Sequence, residues 1–162
     1  MESPLIWQIC RINWQIFGTL TLKSLRLSER MQSRQIMRYF EITSRKLGVN
    51  RKSVQWVVRS EHGELGGRLH YHFLLGGLKP SQLSRTTEWF LWDLWHNQIN
   101  GGRTDIRRYN PRLPGVSYIM KGLDGADVYE SAKFGQSQVT WSQGVQERLS
   151  HSARMTNTAG AH

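Results

Sequence analysis

A single cysteine, Cys10, stands among 162 residues. One thiol makes neither an intrachain disulfide nor a cysteine-based zinc site, so the chain suits a reducing compartment. Long apolar runs are also missing. No stretch approaches the roughly 20 apolar residues that a membrane helix needs. Residues 1–10 carry no basic segment and only a short apolar patch, Leu5 to Trp7, so no secretion signal is expected. Acidic charge is scarce. Twelve Asp and Glu face 22 Lys and Arg, for a net charge of +10. Such an excess favours a polyanionic partner, most simply nucleic acid, although a solubilising surface has the same composition. Sixteen of the basic residues are Arg and six are Lys. The planar guanidinium grips phosphate with two parallel bonds, which leans the reading toward nucleic acid. There is no internal repeat. There is also no Gly-x-x-x-x-Gly-Lys-Ser/Thr loop for nucleotide phosphates, since residues 76–81 read Gly-Gly-Leu-Lys-Pro-Ser.

What is present suffices for a core. Hydrophobic residues make up 38% of the chain, with seven Trp, five Phe and five Tyr. The expected division is one domain over residues 1–134 and a polar tail over 135–162. In that tail Trp141, Val145 and Leu149 fall on one stripe of a short docking helix. Residues 14–23 read as a strand. A helix follows from an N-cap at Ser28 to about Leu47. Its Arg30, Arg34 and Arg38 recur every four residues, a pattern that suits either a solvated face or DNA contact. Residues 53–61 read as a second strand and 62–67 as a glycine-rich turn. A third strand then carries Leu69 to Leu75, so the pair forms an antiparallel hairpin. Pro80 and Ser81 open a helix whose Trp89, Phe90, Trp92, Leu94 and Trp95 are expected in the core. Thr104 to Tyr109 read as a fourth strand. A short helix after Pro114 holds Tyr118 and Lys121, and residues 127–131 are a candidate fifth strand. The order β-α-β-β-α-β predicts an α+β, ferredoxin-like (RRM-like) fold: an antiparallel sheet of four to five strands with helices on one face and the active site on the other.

The chemistry concentrates in His70-Tyr71-His72. Side chains alternate along a strand, so both imidazoles share one face while Tyr71 and Phe73 take the other. Two adjacent imidazoles are half of a metal site. The third ligand is expected to be Glu61, at the end of the neighbouring strand, with Glu64 in the turn as the alternative. Two His and one carboxylate suit Mn²⁺ or Mg²⁺ and leave positions for phosphate and water. Tyr118 is the expected nucleophile. Its phenol is neutral at pH 7 and needs a nearby cation or base. Lys121, one helical turn along, is placed to stabilise developing charge. Arg68, Arg103, Arg107 and Arg108 are the expected DNA contacts. His62, His96, His151 and His162 read as surface residues.

With these motifs the chain resembles the HUH endonucleases, specifically the replication initiators (Rep proteins) of rolling-circle replicons. Phe17-Gly18-Thr19-Leu20-Thr21-Leu22 resembles their first motif, His70-Tyr71-His72 their His-hydrophobic-His motif, and Tyr118-Ile119-Met120-Lys121 their single-tyrosine motif. The likeness spans residues 14–131. It implies a nickase for single-stranded DNA at a replication origin, often in a hairpin loop, which stays linked to the 5′ end and later rejoins the strand. It also implies Mg²⁺ or Mn²⁺ held by the His pair and a preceding carboxylate, with Asp124 as a weaker candidate ligand. Many eukaryotic viral members continue into a helicase domain that this sequence lacks. The expectation is therefore a separate helicase partner or helicase sequence outside the chain, and a location in bacterial cytoplasm or a host nucleus. Two other readings stand beside it. One is a single-domain transposase for single-stranded DNA, whose tyrosine helix typically adds a Gln or His ligand that is missing here. The other is a ferredoxin-like nucleic-acid binder without chemistry, in which Tyr71 and Phe73 stack bases.

Overall fold

The computed structural model describes residues 4–24, 26–47, 54–62, 69–113, 115–120 and 139–150. Along the chain lie α1 (Pro4–Cys10), β1 (Trp14–Thr21), α2 (Glu29–Lys46), β2 (Gln55–His62), β3 (Leu69–Gly76), α3 (Arg85–Asp93), β4 (Thr104–Arg108), α4 (Gly115–Ile119) and β5 (Val139–Trp141). A final helix, α5, covers residues 143–150. The strands form one antiparallel sheet in the order β4-β1-β3-β2-β5. The first four make the ferredoxin-like α+β arrangement expected from the sequence, and β5 extends it at the β2 edge.

Strict alternation builds the sheet. Along β1, residues alternate between buried and half-buried through all eight positions, the period of a strand with two different faces. Ile16 and Leu20 join Val58, Tyr71, Phe73 and Leu75 on the face covered by α2 and α3. Ser28 caps α2 by accepting the Met31 amide, satisfying one of the helix's orphan donors. Phe40 of α2 stacks on Trp56 with ring centroids 4.4 Å apart. The buried Tyr39 hydroxyl donates to the Leu91 carbonyl at 3.2 Å, locking α2 to α3. Gly18 is needed for close approach: a Cβ there would lie 2.3 Å from the Phe73 ring.

The opposite face is half covered. Ile6 and Ile9 of α1, Val116 and Ile119 of α4, and Val145 and Leu149 of α5 form a second cluster over Trp14, Val57 and Leu74. This cluster occupies one end of the face and leaves the other end, with the histidines, open. Helix α1 is not legible in the sequence. It has only seven residues, too few to display a period, and it is held by docking: Ile9 is fully buried, and its carbonyl accepts from Trp14 Nε1 at 2.9 Å. The tail segment 139–150 supplies both β5 and α5, with Val145 and Leu149 buried and Trp141 packed beside them.

Two expectations need correction. The helix expected to open at Pro80 starts as a short 3-10 turn, Pro80–Gln82, and restarts at Ser84, whose hydroxyl caps Thr87. Its aromatic row does not all enter the core. Leu94 and Trp95 are fully buried, but Trp89 is 63% exposed and packs edge-on against Trp92. Five apolar residues within seven positions surround a helix, and only one side of it meets the sheet. The strand expected at 127–131 lies outside the described residues.

Candidate active site

Register brings the expected residues together. Thr19, His72 and Arg59 are cross-strand partners on one rung of β1, β3 and β2, and Thr21, His70 and Glu61 form the next. All six point to the open face, by the same alternation that buries Tyr71 and Phe73 on the other. The two imidazole centroids are 4.9 Å apart. Glu61 Oε2 sits 3.7 Å from His70 Nε2 and 3.4 Å from His72 Nε2. The donor atoms of Glu61, His70 and His72 all lie within 4.8 Å of one another.

His72 shows why this cluster suits a cation. Its Nδ1 is 3.0 Å from Thr19 Oγ1. Its Nε2 is buried and, although near Glu61, has no hydrogen-bond partner. The tautomer that donates Nδ1–H to Thr19 turns the Nε2 lone pair toward a carboxylate. Two acceptors facing each other in a partly buried place are complementary to a positive ion between them. Burial, the neighbouring His70 and the Arg59 charge lower the His72 pKa, overcoming the opposing pull of Glu61. The ring is thus held neutral, as a ligand must be. The residues present fit a divalent metal.

Tyr118 closes the site from above. Helix α4 carries it beside His72, ring centroids 5.1 Å apart and edge-to-face. Its hydroxyl donates to Glu61 Oε2 at 2.6 Å. That bond is the largest cause of the lowered Glu61 pKa, helped by His72, His70 and Arg59. For the same reason the Tyr118 pKa is raised: the carboxylate bond holds the proton on the phenol, with burial adding to it. Arg59 donates to the Ile119 carbonyl at 3.1 Å and so ties the tyrosine helix to β2.

The expected arginines divide. Arg107, on the site face of β4, lies over the Phe17 ring at 5.0 Å. Together with Phe17, Tyr109, Asn110 and Leu113 it lines a cavity of about 310 Å³ that reaches His72 and Tyr118. Arg103 is exposed where its carbonyl accepts from Thr21. Arg108 has the opposite parity. Its guanidinium turns to α3, pairing with Glu88 at 3.5 Å and donating to the Leu83 carbonyl. Lys121, Arg68, Glu64 and Asp124 lie outside the described residues. Sequence reasoning passed over Thr19 and Arg59 as site residues. Thr19 carried a signal, a hydroxyl two positions from Thr21 on the same strand face. Arg59 carried one only once the pairing of β2 with β3 was known.

Residues 15–124 match the family model described as Replication-associated protein ORF2. No curated protein and no solved structure matches the chain. Among the described residues no helix is long and apolar enough to cross a membrane.

Proposed function

We propose that this chain, which belongs to the Replication-associated protein ORF2 family, starts replication by nicking single-stranded DNA through attack of Tyr118. The observation that carries the reading is the 2.6 Å bond from the Tyr118 hydroxyl to Glu61, inside a Glu-His-His cluster fit for a metal. A nucleophile and a metal-ligand set within one hydrogen bond of each other are what in-line phosphodiester cleavage requires.

His70, His72 and Glu61 would hold Mn²⁺ or Mg²⁺. When bound, the ion neutralises charge on the scissile phosphate and orients it. The chain does the rest. Tyr118 Oη attacks phosphorus, the bond to the 3′ oxygen breaks, and the 5′ phosphate stays on the tyrosine. The phenol proton is directed at Glu61 Oε2, and the departing 3′ oxygen takes up one proton, so the step balances. Ester energy is retained in the phosphotyrosine. A free 3′ hydroxyl can therefore attack it, restore the phosphodiester and return the proton to Tyr118. Thr19 orients His72, and Arg59 fixes α4 so that the hydroxyl stays over the cluster. The cavity beside Arg107 and Phe17 suits a nucleotide adjoining the scissile phosphate. Lys121, next along the motif, is proposed to stabilise the developing charge.

The test is a denaturing gel. Labelled single-stranded DNA with candidate origin hairpins is incubated with the protein and Mn²⁺, beside Tyr118→Phe and EDTA controls. The expected result is a covalent protein–DNA band that both controls abolish. A band that survives Tyr118→Phe overturns the assignment of the nucleophile. Metal-independent binding without any adduct on the true origin overturns the enzyme reading.

A further inference from the structure

The exposed side of α2 is not used by this chemistry. It lies on the sheet face opposite the histidines. Arg30, Arg34, Arg38 and Arg45 sit at helical offsets of 0, 4, 8 and 15 residues. At about 100° per residue the four fall within roughly 80° of the helix circumference, and at 1.5 Å rise they extend along about 22 Å. All four are exposed. Among the described residues none of their side chains takes part in an ion pair. They border a groove of about 940 Å³ that runs toward Gln98, where Lys46 adds a fifth cation and Glu41 is the single acid.

We infer that this stripe is a second DNA site, which grips the phosphate backbone of a duplex while the opposite face holds the single strand. Three features select that occupant. The first is charge: five cations against one acid complement a polyanion. The second is shape. A straight row of guanidiniums, about 6 Å apart over its first three members, matches a stiff, regularly charged rod, and a duplex stays straight over far longer distances. The third is chemistry. The groove is lined by Ser33, Met37, Ile42 and Gln98 and by no aromatic ring. Single strands are held on aromatic stacking platforms, whereas a duplex hides its bases and offers phosphates. The contacts are to backbone, so the site carries position and not sequence.

The test compares the wild-type chain with R30Q/R34Q/R38Q/R45Q and with the matching Arg→Lys variant. Binding of a 20-base-pair duplex and of a 20-nucleotide single strand is followed by fluorescence anisotropy in EDTA over a range of salt. Thermal melting verifies that both variants fold. Four lost phosphate contacts should reduce the slope of log affinity against log salt by about 3 to 4 for the duplex. The Arg→Lys variant should keep most of the slope, and single-strand binding should change little. An unchanged duplex slope overturns the proposal. So does an equal loss on both DNAs, which would mark a general charge effect. Adduct formation on a short single strand, measured on the same variants, reads the tyrosine site separately, so failure of either reading is told from failure of the other.

Discussion

Replacing Thr19 with Val should weaken metal binding with little effect on the fold. The variant keeps the branched shape that suits β1 and removes only the hydroxyl. In the metal-free protein, loss of the 3.0 Å contact to His72 Nδ1 would strand a buried N–H, at a cost of about 1–3 kcal/mol. The ring has an escape: the proton can move to Nε2, where Glu61 Oε2 lies 3.4 Å away. That tautomer limits the loss of stability to about 1 kcal/mol, the net worth of one hydrogen bond. The same escape occupies the lone pair a metal needs. Binding must then reverse the tautomer and leave Nδ1–H unpaired. Loss of such an orienting partner typically weakens a metal site about 10–100-fold, or roughly 1.4–2.7 kcal/mol. Isothermal titration with Mn²⁺ measures the affinity, and melting in EDTA measures the fold. A Mn²⁺ affinity indistinguishable from wild type, in a folded variant, refutes the argument that Thr19 selects the ligating tautomer.

Gly18→Ala should destabilise the protein by about 1–3 kcal/mol, because its Cβ would meet the Phe73 ring at 2.3 Å; denaturant unfolding reports the change. Arg59→Met removes the donor to the Ile119 carbonyl and should slow adduct formation far more than it weakens Mn²⁺ binding, a split that single-turnover gels and titration together resolve. In EDTA, stability should fall with acidification in two stages. His72 has a folded pKa below its unfolded one, so its contribution is lost as pH drops through and below the ordinary imidazole range. Glu61 is also lowered, so its contribution is full above the usual carboxylate range and is lost as pH falls through its folded value. Melting temperatures from pH 8 to pH 3 follow both stages, and His72→Ala should flatten the upper one.

Period-two alternation was enough to find the histidine face, because His70 and His72 flank a residue that belongs in the core. Glu61 was legible for a similar reason: a strand ending at a short turn returns beside its partner. Arg107 and Arg108 show the limit. Neighbours in sequence, they take opposite faces, and only the pairing of Phe17 with Arg107 tells which one serves the site. Trp89 shows another. Hydrophobicity ranks a residue's preference for the interior, but the side of α3 that meets the sheet is decided by the whole fold. Helix α1 escaped notice because its stability comes from Ile9 and Trp14 docking and not from its own seven residues.

The two rungs Thr19–His72–Arg59 and Thr21–His70–Glu61 also make the site a gauge of its own assembly. A slip of two residues between β2 and β3 would keep every apolar side chain facing inward, so packing alone resists it weakly. The same slip would carry Glu61 about 7 Å from its histidine and leave three donors that no longer converge. A chain folded in the wrong register would thus be compact yet unable to gather an ion. Metal uptake by freshly refolded protein would therefore count the correctly threaded molecules, which neither melting nor circular dichroism distinguishes.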